Sequence, residues 1–153
     1  MSGLQQVLIH LVDIWVRRDA SLARDFEAVL ASVVAFNDPA CIGALLELFE
    51  DEAPSDDLLF SVVHAMEAFP DQVYLLGLLG KTVALLGRTP RWARILYTRV
   101  LNAPTARAEL ASALCREPEA TRAAVHRILD DIERRSTEFT SKTGEVRRGM
   151  WSK

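Results

Sequence analysis

Apolar residues recur three and four positions apart through most of the chain, and this spacing is typical of amphipathic α-helices. The first apolar stripe runs over residues 4–15. The second begins near Asp19 or Ser21 and ends around Asn37. Alternating apolar and polar residues, which would indicate β-strands, are scarce. The pattern therefore predicts an all-α protein.

Proline and capping residues mark where the later helices begin. Proline is favoured at the first position of a helix, and Asp, Ser or Thr just before it can accept hydrogen bonds from the free amides. Six further helices are predicted to begin at Asp38-Pro39, Ser55 or Asp56, Pro70, Thr89-Pro90, Pro104 and Pro118. Two-helix units thus recur about every thirty residues. This spacing predicts about eight helices as stacked helix hairpins, arranged as a short HEAT-like α-solenoid or as a compact orthogonal bundle.

The apolar periodicity ends before the chain does. We expect residues 1–135 to form a single all-helical domain, because a chain of 153 residues that is 50% hydrophobic can bury a core of ordinary size. Residues 136–153 are rich in Ser, Thr, Gly and basic side chains, and form a polar C-terminal tail. The tail is either flexible or docked as a small hairpin that turns near Thr143 and buries Phe139 and Trp151.

Charge and cysteine content limit the range of partners. The chain holds 18 basic and 21 acidic residues, a net charge of −3, whereas a nucleic-acid-binding protein would be expected to carry a clustered basic face. Cys41 and Cys115 lie far apart in sequence, which favours buried free thiols in a reducing compartment. The N-terminus does not resemble a secretion signal, and no apolar run approaches membrane-spanning length. We therefore expect a cytoplasmic protein without a membrane partner or a direct nucleic-acid partner.

Motifs that suggest chemistry do not meet its requirements. The segment from Gly77 to Thr82 ends like a phosphate-binding loop, but it lacks the spacing and the preceding strand, so close approach of another helix better explains Gly77 and Gly80. His64 and Glu67 would share a helix face, yet a zinc helix needs HExxH and a third ligand. A pairing of these two side chains, or their exposure at a partner surface, is favoured. We predict no enzymatic activity, no metal and no cofactor.

A run of acidic residues with no base among them joins the third predicted helix to the fourth. Its members are Glu47, Glu50, Asp51, Glu52, Asp56 and Asp57. One interpretation is a solvated loop. The other is a surface that attracts a basic partner, because clustered charge raises association rates and selects partners of opposite sign.

Two strings in the middle of the chain carry a resemblance to a known family. They are HAMEAF at 64–69 and PRWARILYTRVLN at 90–102, with Tyr74 and Leu75 in the helix between them. Both strings resemble the central helices of all-helical bacterial immunity proteins, which are encoded beside polymorphic or contact-dependent growth-inhibition toxins. The resemblance covers roughly residues 58–115, and the first three helices and the tail have no counterpart in it.

The resemblance implies a non-enzymatic protein that binds one cognate toxin domain and blocks its active site or its access to substrate. Toxins that cut nucleic acid are often basic because they hold phosphate backbones, so the acidic run would steer toward such a toxin. The predicted partner contacts are Glu47, Glu50, Asp51, Glu52, Asp56 and Asp57, with His64 and Glu67 as further candidates. The alternative is a helical-repeat scaffold for a non-toxin partner. We expect a monomer or a weak homodimer.

Overall fold

The computed structural model describes residues 2–151, and within this range it contains nine α-helices, one 3-10 helix and no strands. The helices are α1 (Gly3–Arg17), α2 (Leu22–Ala35), α3 (Ala40–Leu46), α4 (Asp56–Glu67), α5 (Asp71–Arg88), α6 (Pro90–Asn102), α7 (Pro104–Leu114), α8 (Glu119–Arg135), the 3-10 helix Thr137–Phe139 and α9 (Thr140–Met150). The all-helical prediction is confirmed. Met1, Ser152 and Lys153, which belong to the predicted domain and tail, lie outside the described residues.

Local side-chain bonds explain several of the helix starts. The Ser2 hydroxyl accepts a hydrogen bond from the Gln5 amide at 3.1 Å, and the Gln5 side chain accepts one from the Ser2 amide at 2.9 Å, so α1 begins with a capping box. The Ser55 hydroxyl accepts from the Leu58 amide at 3.3 Å at the start of α4. Helices α6 and α7 have proline at their first position. The predicted starts of these later helices are therefore confirmed.

Alternate helices pack against each other along the chain. In one series α1 packs on α3, α3 on α5, α5 on α7 and α7 on α9. In addition, α2 packs on α4 and α6 packs on α8. Such contacts between alternate helices are what stacked helix pairs produce. Helix α5 also contacts α4, α6 and α8, so it lies at the centre of the molecule.

The aromatic part of the core lies where the connection between α3 and α4, helix α4 and helix α6 meet. Trp92 is completely buried, and its ring lies 5.1 Å from that of Phe49 and 5.0 Å from that of Phe60, in edge-on geometry. Both cysteines are free thiols; Cys41 is buried as predicted, whereas Cys115 is half-buried. The start of α6 is thus held by apolar contacts from α4 and from the connection that precedes it.

Glycines permit close helix contacts at two positions. A Cβ atom on Gly77 would lie 2.5 Å from Cγ2 of Ile42, so α3 and α5 approach closely here as predicted. The same prediction was wrong for Gly80, where a Cβ would meet nothing within 4 Å. A Cβ on Gly149 would lie 2.0 Å from the carbonyl oxygen of Ala111, so α9 packs directly on the backbone of α7.

The segment after Ser136 is helical, and the expectation of a flexible tail or a small hairpin was wrong for residues 137–150. Helix α9 packs mainly on α7 and also contacts α8. Phe139 is buried, as the docked alternative required, but Trp151 is 79% exposed. This segment therefore extends the helical stack by one more helix.

The inner face of this segment explains why it folds onto the stack. Phe139, Thr143, Val146 and Met150 are buried and lie three or four residues apart. Thr143 takes the place of an apolar residue in this stripe, and its hydroxyl donates a hydrogen bond to Glu133 on α8. The polar Thr143 is therefore hydrogen-bonded within the fold although it is buried away from water.

Candidate functional site

The acidic run occupies the connection between α3 and α4 and the first turn of α4, where basic residues from distant parts of the chain meet it. The Glu47 carboxylate pairs with the Lys81 ammonium at 2.9 Å. Glu50 accepts a hydrogen bond from the Trp15 indole at 3.3 Å and pairs with Arg18. The connection is therefore bonded to α1 and α5 rather than solvated along its whole length.

Asp51 caps the N-terminus of α6 from across the fold. Its carboxylate accepts hydrogen bonds from the Thr89 hydroxyl at 2.5 Å and from the amides of Arg91 and Trp92, each at 3.1 Å. Sequence analysis predicted Thr89 itself as the capping hydroxyl, but Thr89 makes no capping bond and is completely buried. Asp51 satisfies the free amides of α6 in its place.

The environment of Asp51 favours its charged form. Burial raises the pKa of this carboxyl, but the hydrogen bonds from Thr89, Arg91 and Trp92 and the nearby Arg91 guanidinium outweigh that effect, so the pKa lies below its ordinary value. The charged carboxylate also complements the positive end of the α6 dipole. Asp51 therefore stabilises the folded chain at neutral pH.

The remaining members of the acidic run differ in how far they are neutralised. The Arg91 guanidinium donates to both carboxylate oxygens of Asp56, at 2.9 and 3.2 Å, and lies 5.3 Å from the centre of the Trp92 ring. Glu52 and Asp57 are exposed, and their carboxylates form no bond with another described residue. The two unneutralised charges of the run are thus those of Glu52 and Asp57.

His64 and Glu67 do not pair with each other. The Glu67 carboxylate accepts two hydrogen bonds from the Arg99 guanidinium, at 2.9 and 2.7 Å, and this hydrogen bonding raises the pKa of Arg99. His64 is exposed on the outer side of α4. The structure thus supports the exposure of His64, while Glu67 forms a bond between α4 and α6.

The bond between Glu67 and Arg99 borders a cavity of about 400 Å³. Tyr74 and Asn102 also line it, so polar residues from both strings that carry the family resemblance meet here. Tyr74 is 3% exposed, and burial raises the pKa of its hydroxyl above the ordinary range, so that it stays protonated. Glu67 was a candidate from the sequence, but no sequence pattern indicated that α5 and α6 would bring Tyr74 and Arg99 beside it.

A second cavity, of about 800 Å³, lies between α8 and the junction of α5 with α6. Its lining includes Arg94, Arg127, Asp131 and Ile128. Sequence analysis did not select these residues, because on the sequence they belong to helices separated by one complete helix. Only the packing of α8 against α5 and α6 brings them together.

Among residues 2–151, no three His, Cys, Asp or Glu side chains are placed to hold a metal ion. No helix between residues 2 and 151 is both long and apolar enough to cross a membrane.

Curated protein sequences and solved structures give no match to the chain. The model of the family described as Immunity protein 30 matches residues 15–110, more than half of the chain. The match runs from the end of α1 into α7, so it also includes α2 and α3, for which the sequence resemblance had no counterpart. The chain therefore belongs to the Immunity protein 30 family, an immunity protein family of bacterial toxin systems.

Proposed function

We propose that the protein neutralises a cognate bacterial toxin domain, a nuclease, by binding it in the cytoplasm and covering its active site or the path of its substrate. Family membership over residues 15–110 carries this proposal. The matched range contains the acidic connection, the whole of α4 and the cavity beside Glu67. Inhibition then requires only tight binding, with no bond made or broken by this chain.

The rigidity of the binding surface supports the proposal. Glu50 is bonded to α1, and Asp51 and Asp56 are bonded to residues at the start of α6. These bonds hold the connection between α3 and α4 in one conformation before a partner arrives. A preformed surface loses less conformational entropy on binding, which leaves more of the interaction free energy for affinity.

The charge of the same surface supports a basic partner. Glu52 and Asp57 have no neutralising partner among the described residues, and the side chains of Glu47 and Asp56 are 63% and 46% exposed despite their ion pairs. We propose these four acids as direct contacts, with His64 about two turns after Asp57 on α4. In this assignment Glu50, Asp51 and Glu67 shape the surface from within the fold. Acidic charge at the rim of an interface mainly raises the association rate.

The first experiment is co-expression with the product of the neighbouring toxin gene. We expect that product to arrest growth when expressed alone and to be harmless when this protein is present. The purified protein should also inhibit nucleic-acid cleavage by the purified toxin domain at equimolar concentration. Toxicity that persists in the presence of this folded protein would refute the proposed function.

A second experiment tests the acidic surface separately. The double variant Glu52→Lys and Asp57→Lys should slow association with a basic toxin domain about tenfold at low salt and flatten the dependence of the rate on salt. The matched control is Glu119→Lys with Glu138→Lys, which makes the same charge change at two exposed acids elsewhere and also alters the first turn of a helix. Equal association rates for the two double variants would show that this acidic surface does not attract the toxin domain.

A further inference from the structure

The groove between α5 and α8 combines two kinds of surface. The cavity of about 800 Å³ described above continues into a second one of about 440 Å³, and the two share Leu86 and Arg127. The smaller cavity is lined by apolar and small side chains, including Val83, Ala120 and Ala123. We call the two cavities together the α5–α8 groove. It therefore has an apolar half and a charged half that meet at Arg127.

The charged half carries an excess of cations. The Asp131 carboxylate is shared by three guanidinium groups, those of Arg94 at 3.4 Å, Arg134 at 3.3 Å and Arg135 at 3.2 Å. Arg127 is exposed and has no ion-pair partner within residues 2–151. One carboxylate cannot neutralise four cations, so the groove is locally positive although the whole chain carries a net charge of −3.

The other acids in this half do not remove the excess. Asp130 and Glu133 both pair with Arg147 of α9, at 2.5 and 2.6 Å. Because Arg147 accompanies these two carboxylates, five arginines in and beside this half (Arg94, Arg127, Arg134, Arg135 and Arg147) face only three carboxylates, and an excess of positive charge remains. An anionic group from outside is therefore the natural complement of Arg127 and the arginines around Asp131.

We propose that the α5–α8 groove binds a segment of the toxin domain that presents apolar side chains followed by a carboxylate. This proposal rests on the proposed function, since it takes the toxin as the partner. The apolar side chains would cover Val83, Ala120 and Ala123, and the carboxylate would accept hydrogen bonds from Arg127. Cavities of this size are typical of sites that enclose side chains or small ligands.

A protein segment fits this groove better than nucleic acid does. A phosphate backbone would satisfy the arginines, but it would leave the apolar half in contact with water. The net charge of −3 also opposes non-specific association with nucleic acid. The combination of apolar and cationic surface is instead the complement of an acidic, partly apolar peptide.

The test uses two substitutions in the groove and a matched control for each. Ala123→Trp fills the apolar half, and Arg127→Glu reverses the charge at its boundary; both residues are exposed, so both variants should fold. The controls are Ala108→Trp, at another exposed helical alanine, and Arg116→Glu, at another exposed arginine without an ion pair among the described residues. Circular dichroism before each binding measurement confirms that the variants are folded.

Affinity for the purified toxin domain is the first measurement. We expect each groove variant to weaken binding at least about tenfold and each control to stay within about twofold of the parent chain. Groove variants that bind like their controls would overturn the proposal. Arginine-dependent binding of a short DNA duplex, with toxin affinity unchanged by either groove variant, would likewise overturn it in favour of nucleic acid.

A second measurement does not depend on any toxin. The probe is 8-anilinonaphthalene-1-sulfonate, which combines aromatic rings with one fixed negative charge and becomes fluorescent in apolar sites. We expect the parent chain and both controls to bind it, Ala123→Trp to lose binding, and Arg127→Glu to weaken it about tenfold. If the probe follows this pattern while no toxin is neutralised, the proposed function fails and the groove stands as a site. If neither groove variant changes probe binding or toxin affinity, the groove proposal fails and the proposed function is unaffected.

Discussion

Replacing Asp51 by Ala removes a cap that links two distant parts of the chain. The substitution eliminates the hydrogen bonds that Asp51 accepts from the amides of Arg91 and Trp92, at 3.1 Å each. It also leaves the completely buried Thr89 hydroxyl without the carboxylate that accepts its proton at 2.5 Å. The variant should therefore lose much more stability than an ordinary surface substitution.

The expected loss follows from these bonds. An N-cap is worth about 1 kcal/mol, and leaving a buried hydroxyl unsatisfied costs about 1–3 kcal/mol. The two contributions add to about 2–4 kcal/mol, and because Asp51 is itself only half-buried, we expect a loss in the lower part of that sum, about 2–3 kcal/mol. For a chain of this size each kcal/mol lowers the melting temperature by about 2–4 °C, so the decrease should be about 4–12 °C.

The same bonds predict a pH dependence. The pKa of Asp51 lies below its ordinary value in the folded chain, so the carboxylate contributes stability above the unfolded-state pKa of about 3.9. This contribution is lost as the pH falls through the lower folded-state pKa. Asp51→Asn cannot titrate, so the parent chain should exceed it in stability at neutral pH, and the difference should shrink below about pH 4.

Urea unfolding of four chains tests this reasoning: the parent, Asp51→Ala, Asp51→Asn and the neighbouring control Glu52→Ala. Glu52 is exposed and has no partner among the described residues, so its removal should change the free energy of unfolding by less than about 0.5 kcal/mol. The reasoning is refuted if Asp51→Ala and Glu52→Ala lose the same stability, or if the difference between the parent and Asp51→Asn is independent of pH.

Two further predictions concern packing and an ion pair. Gly149→Ala would place a Cβ 2.0 Å from the α7 backbone and should cost at least about 2 kcal/mol, whereas Gly80→Ala, in an open helical position, should add about 0.5–1 kcal/mol. Thermal unfolding and hydrogen exchange of α9 measure this contrast, and the opposite order would contradict the packing of α9 on α7. A double-mutant cycle with Glu67→Ala and Arg99→Ala should give a coupling free energy of about 0.5–1 kcal/mol, because the pair is bidentate but about one third exposed. A coupling near zero would show that this bond does not hold α4 to α6.

Most of the fold could be predicted because the residues that begin and end its helices lie within short stretches of sequence. Proline at the first position fixes the starts of α6 and α7 within a few residues of sequence, and regular apolar spacing gives the helices before them. Helix α9 was not predicted because one member of its buried stripe, Thr143, is polar and because Gly144 and Gly149 are poor helix formers. Its stability comes from packing on α7, which a local pattern does not contain.

The candidate site was less predictable because its charges are paired across long sequence separations. The acidic run has no base within it, yet Arg18, Lys81 and Arg91 reach Glu50, Glu47 and Asp56 in the folded chain. Sequence reasoning could find a concentration of acids but not which of them the fold neutralises. The α5–α8 groove was missed for the same reason, since it exists only after α8 packs against two earlier helices.

Asp51 and Glu52 are neighbours in the connection between α3 and α4, but a substitution has different effects at the two positions. A mutation at Asp51 weakens folding before it can alter recognition, because this carboxylate holds the start of α6. Glu52, one residue later, has no side-chain bond to lose within the described chain, so its replacement leaves the fold undisturbed. Under the proposed function, specificity for a changed toxin can therefore vary at Glu52 while Asp51 keeps the fold intact.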